Sequence, residues 1–175
     1  MRLLVLTLVF LCLGVVAQAH AADVPSTACA VPEFRQFDFW AGEWDVTDPA
    51  GKTVGHNRID AILDGCALQE SWTGSSGFRG HSFNLYDRSR SVWHQTWVDS
   101  SGTLLLLEGG LQDGAMVLEG TRHSRERNAP VRDRITWTPN ADGSVRQHWQ
   151  SSLDDGKTWQ TVFDGLYRRS TRAPD

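Results

Sequence analysis

The sequence predicts an all-β domain: an antiparallel up-and-down β-barrel of about ten strands, closed on itself, with one short helix at its N-terminal end. Three observations carry this. Short stretches rich in valine, threonine and aromatics alternate with glycine, asparagine and aspartate turns from residue 43 to residue 169. The links between them are short, which favours antiparallel neighbours. Nothing beyond residue 40 sustains a helical period. A meander of that many strands hides its edges best by closing.

Met1-Arg2, an apolar run over residues 3–16 and the small-x-small site Ala19-His20-Ala21 read as a secretory leader, residues 1–21, cleaved after Ala21. That run is too short to span a bilayer comfortably. Cys12 lies inside it behind Leu11, away from the cleavage point, so a lipid anchor is discounted. No second apolar run follows, and the expectation is a soluble periplasmic or secreted protein without a membrane span. Residues 22–32 are small and polar and carry Pro25 and Pro32, as a tether would. The barrel domain is assigned to residues 33–170.

Residues 33–39 make one or two helical turns, because Phe34, Phe37 and Trp40 recur at helical spacing. They run into the densest aromatic stretch of the chain, Phe37-Asp38-Phe39-Trp40-Ala41-Gly42-Glu43-Trp44. Gly42 lets the backbone turn tightly while Trp44 covers the end of the sheet it starts, which reads as the bottom plug of the barrel. Strands are expected at 43–48, 54–63, 67–73, 80–87, 92–99, 103–108, 115–123, 131–138, 144–152 and 158–169. The last link, Ser152-Leu153-Asp154-Asp155-Gly156-Lys157-Thr158-Trp159, resembles the Asp-box hairpin of sialidase propellers. It occurs once, so it is read as hairpin chemistry and not as a propeller blade.

The 175 residues carry a formal charge of −4, one unit more negative once Arg2 leaves with the leader. No basic face stands out, since Glu126 interrupts Arg122, Arg125 and Arg127, and nucleic-acid binding is not expected. Of three cysteines, Cys12 belongs to the leader, leaving Cys29 and Cys66. In an exported chain these most simply form one disulfide, and the absence of a Cys-x-x-Cys pair argues against a metal or redox role.

Residues two apart in a strand share a face. That parity groups Leu68, Glu70 and Trp72; Ser82, Asn84 and Tyr86; Trp93, Gln95 and Trp97; Met116 and Leu118; Ile135 and Trp137; and Gln147 and Trp149. Each unpartnered polar group in a dry core costs on the order of 1–3 kcal/mol, so amides and a carboxylate among tryptophans suggest a lumen that is wet or holds a polar-headed ligand. Eight tryptophans in so small a chain supply flat apolar surface suited to an aromatic or hydrophobic ligand. The alternative puts these polar groups and indoles on the outer face.

The candidate ligand-binding set is therefore Glu70, Trp72, Ser82, Asn84, Tyr86, Trp93, Gln95, Trp97, Met116, Trp137, Gln147 and Trp149. If the protein is an enzyme, Glu70 is the candidate acid or base, because desolvation among indoles raises a carboxyl pKa. No nucleophile elbow, Walker loop, zincin motif or dinucleotide fingerprint is present. No cofactor or metal is expected; a haem or metal site through His94 or His148 is the lesser alternative.

Three segments, residues 37–46, 65–72 and 93–99, together with Gly109, Met116, Gly120, Trp137 and Phe163-Asp164-Gly165-Leu166-Tyr167, resemble the bacterial family described as domain of unknown function 1579. The resemblance covers nearly all of the chain after the leader. It implies a lipocalin-like, calycin-type barrel and no particular activity. Gly42-Glu43-Trp44 is also similar to the Gly-x-Trp motif of lipocalins, whose tryptophan packs near a basic residue of the last strand. Arg168 or Arg169 would supply that cation–π contact here. The expected function is binding of a small hydrophobic or aromatic molecule in the lumen. A small-molecule cyclase, isomerase or hydrolase using Glu70 in the same pocket, and an envelope interaction protein with a filled barrel, are the alternatives.

Overall fold

The structure is a computed structural model and describes residues 29–171. The leader and most of the tether lie outside the described residues. Ten strands follow one another: β1 Gly42–Thr47, β2 Thr53–Ile62, β3 Ala67–Gly74, β4 Arg79–Asp87, β5 Val92–Asp99, β6 Leu104–Gln112, β7 Ala115–Ser124, β8 Ala129–Pro139, β9 Val145–Ser152 and β10 Gln160–Arg169. Each pairs antiparallel with its neighbours in sequence, and β1 pairs with β10 to close the barrel. Among the described residues no helix is long and apolar enough to cross a membrane.

The side-chain alternation that predicted the strands is the alternation observed. Buried and exposed positions trade places along β4, β5 and β8, so the barrel interior is one face of every strand. The β6 strand extends to Gln112, beyond the expected end at residue 108, because Glu108 to Gln112 are the positions that ladder with β7. A register shift between Thr161 and Phe163 marks a bulge in β10.

The expected N-terminal helical turns are present as two short 3-10 segments, Pro32–Arg35 and Asp38–Trp40. Phe37 and Trp40 are fully buried, stack at 4.9 Å, and reach the indoles of Trp93 and Trp137. Phe34 meets Tyr86 edge-on at 5.5 Å. The plug of the lower end is thus Phe34, Phe37 and Trp40, joined by Trp44, whose indole N–H donates to the Trp40 carbonyl at 2.9 Å.

Arg169 lies over the Trp44 ring at 3.9 Å and donates to the Ala41 carbonyl at 2.6 Å. Its neighbour Arg168 opposes Asp45 in register and is exposed on the outer wall, so the cation–π partner is Arg169 alone. Gly42 sits at φ +126°, and a β-carbon there would meet the Arg169 guanidinium at 1.8 Å. Both facts reserve the position for glycine. Cys29 and Cys66 form a disulfide across 37 residues of sequence, tying the start of the plug to the β2–β3 link at the same end.

Candidate functional site: a half-open lumen

The inward face divides into two halves. In the lower half Tyr86, Trp93, Met116 and Trp137 belong to a packed core with Phe37, Trp40, Leu118 and Val145. These four members of the predicted lining do not face the hollow. Parity had put them inside correctly, but the chain's own N-terminal aromatics occupy the space a ligand would need.

Above this floor lies a cavity of about 340 Å³, within the ~300–1,000 Å³ usual for small-molecule sites. Glu70, Trp72, Gln95, Trp97, Gln147 and Trp149 line it, joined by Val54, Leu105, Ile135, Phe163 and Tyr167, with Ser76, Phe78 and Val162 near the mouth. The mouth faces the end that carries the β1–β2, β3–β4 and β9–β10 links, opposite the plug. Trp97 lies across Gly80 of β4, where a β-carbon would sit 2.1 Å from the indole. Its N–H donates to Asp99 at 3.1 Å, and the N–H of Trp149 donates to buried Asp133 at 2.8 Å. Asp133 in turn accepts from the Arg122 guanidinium at 2.8 Å. Both indoles are therefore held by carboxylates at their edges, leaving flat surface toward the hollow.

The floor is a directional chain of hydrogen bonds. Gln95 Nε2 donates to Asn84 Oδ1 at 2.8 Å; Asn84 Nδ2 donates to Ser82 Oγ at 2.9 Å; Ser82 Oγ donates to Glu70 Oε2 at 2.6 Å. From the other side Asn57 Nδ2 donates to Glu70 Oε1 at 2.7 Å. Ser82 and Asn84 are buried behind Glu70 and Gln95, so they orient those groups without lining the cavity. Tyr167 donates its hydroxyl to Gln147 Oε1. Strand register explains the cluster: Glu70 opposes Ser82 and Asn84 opposes Gln95 across adjacent strands.

Glu70 is almost wholly buried, and desolvation raises its pKa to about 7 against the lowering effect of the bonds from Ser82 and Asn57. Burial, reinforced by the charge of Glu70, pushes the Tyr167 hydroxyl well above the ordinary phenol range. No ion pair among the described residues includes Glu70.

Asn57, Phe163 and Tyr167 were missing from the predicted set. The signal was available, since Gly55-x-Asn57-x-Ile59 and Phe163-x-Gly165-x-Tyr167 follow the same alternation. His94 and His148 stand on the outer wall, the first against Glu108 and Thr96, the second against Thr161. Among the described residues no group of three or more His, Cys, Asp or Glu is placed to hold a metal ion.

The fold and the hollow together define a cup, a closed β-barrel stopped at one end and open at the other. Compared with models of protein families and with curated proteins, the chain finds no match.

Proposed function

We propose that the protein is an exported small-molecule binder whose upper lumen takes a hydrophobic or aromatic ligand. The observation that carries this reading is the coexistence of a 340 Å³ hollow walled by Trp72, Trp97, Trp149 and Phe163 with a hydrogen-bonded polar floor at Glu70, Gln95 and Gln147. Such a floor orients a head group while the indoles cover an apolar body. Export is supported by the leader-like residues 1–21 and by the Cys29–Cys66 disulfide, which persists in an oxidising compartment. The resemblance to the domain of unknown function 1579 family agrees with a calycin-type cup.

Intrinsic tryptophan fluorescence titrated with a chemically varied panel of neutral aromatic and aliphatic molecules tests the reading. Saturable quenching at 1:1 stoichiometry is expected for at least one aromatic class, and silence across the panel and its charged analogues would overturn it.

A second reading, catalysis by Glu70 as general acid or base, is favoured by one observation: its pKa of about 7 suits proton transfer near neutrality. Glu70→Gln separates the two, abolishing turnover in an enzyme and changing affinity in a binder. A third, an interaction protein, draws on the outer wall of β4 to β6. There Phe83, Leu85, Val98, Leu104 and Leu106 are exposed, with Val98 opposite Leu104 in register.

A further inference from the structure

Glu70 is a buried carboxylate with two neutral donors and no counter-charge. The residues lining the hollow include one carboxyl group and no lysine, arginine or histidine. Two lines of donors end on it, Gln95 through Asn84 and Ser82 from one side and Asn57 from the other, while the Tyr167 hydroxyl donates to Gln147. A chain polarised in that sense ends on a group that accepts on both oxygens, which is the bonding pattern of an ionised carboxylate. Burying that charge without a cation is costly, and interior carboxylates are ordinarily paired.

The rest of the cavity has matching polarity. Gln95 uses its amide nitrogen toward Asn84, which leaves its carbonyl oxygen as a second acceptor beside Glu70. The indoles of Trp97 and Trp149 donate their N–H groups to Asp99 and Asp133; donation to a carboxylate makes an indole face more negative. Three tryptophans line the same hollow as that carboxylate, and there a positive charge gains from both the ring faces and the anion.

We propose that the hollow selects an organic cation: a small molecule with a flat apolar body and an ammonium head that lies at Glu70 between Trp72, Trp97 and Trp149. This rests on the reading of the cavity as a ligand site and names the class of ligand. The protein supplies the missing anion and the ligand supplies the missing cation. The raised pKa of Glu70, about 7 from burial, is the same unbalanced charge seen from the proton's side.

The test uses four probes on one naphthylethyl skeleton: the primary amine, the trimethylammonium, the alcohol and the carboxylate, each titrated against the folded chain by tryptophan fluorescence and calorimetry at pH 7. Both cations are expected to bind at least ~10-fold more tightly than the alcohol, with the carboxylate weakest. The trimethylammonium probe has no proton of its own, so calorimetry in buffers of differing ionisation enthalpy reads Glu70 directly. Proton release on its binding should grow as the pH is lowered through the titration of Glu70. In Glu70→Gln the cation preference should vanish while the alcohol still binds. Should that variant not fold, the ranking of the four probes in the unaltered protein decides the matter by itself. An alcohol that binds as tightly as the amine, or a cation preference that survives in Glu70→Gln, overturns the assignment of charge and leaves the ligand site standing. Silence from all four probes and from the neutral panel removes the ligand site itself.

Discussion

Glu70 concentrates what single residues contribute to this molecule. Its folded-state pKa of about 7 lies above the unfolded value of 4.5. Between those values the folded chain holds a proton that the unfolded chain has lost, so stability must fall as pH rises through that window. The loss is on the order of 3 kcal/mol from pH 4.5 to above pH 7, taking about 1.4 kcal/mol per pH unit of separation. Urea unfolding at pH 5 and pH 8 should show the decline, and Glu70→Gln should flatten it. The replacement fits, because its amide oxygen can accept from Asn57 while its NH₂ donates to Ser82. Gly80 offers a second residue-level expectation. Gly80→Ala forces a methyl into the Trp97 ring, which should destabilise by about 1–3 kcal/mol and shift the tryptophan emission, measured by denaturant melts followed through fluorescence. Residue identities inside the barrel were legible from parity alone, and Glu70, Trp72, Gln95, Trp97, Gln147 and Trp149 all face the hollow. The hydrogen bonds among them were not, because which amide meets which carboxylate depends on the register between strands. A shift of one residue would put all of these side chains on the outside.

At the scale of elements, strands were readable and the plug only in part, through Gly42 and Trp44. Valine, threonine and aromatic alternation broken by Asp-Gly and Ser-Gly turns placed all ten strands, with ends displaced by a few residues where laddering continues past the apolar pattern, as in β6. The spacing of Phe34, Phe37 and Trp40 signalled helical turns but carried no information on whether they cap the barrel or enter it. They enter it, and so Tyr86, Trp93, Met116 and Trp137 became core. Phe37→Ala should therefore cost about 3–5 kcal/mol, seen as a lowered denaturation midpoint. It should also lengthen the hollow downward, so that the variant binds a longer naphthyl derivative than the unaltered protein accepts. The β9–β10 hairpin folds by its own polar groups: Asp154 accepts from the Thr158 backbone and hydroxyl at 2.8 and 2.7 Å, and these bonds hold its carboxyl at about 2. Its single occurrence fits a hairpin at the rim of a cup.

The whole molecule is a barrel closed at one end by its own aromatics and a disulfide, and open at the other above a polar floor. Two apolar surfaces compete to explain any affinity for hydrophobic molecules: the hollow inside, and the outer wall at Leu104, Leu106, Val98 and Phe83. The neutral fluorescent dye N-phenyl-1-naphthylamine distinguishes them in one titration series. Val54→Trp places an indole in the hollow, where Val54 is part of the lining, and Leu106→Ser roughens the outer wall. The account predicts saturable, blue-shifted dye emission in the unaltered chain and in Leu106→Ser, and its loss in Val54→Trp. Undiminished dye binding by Val54→Trp, with loss in Leu106→Ser, would contradict it.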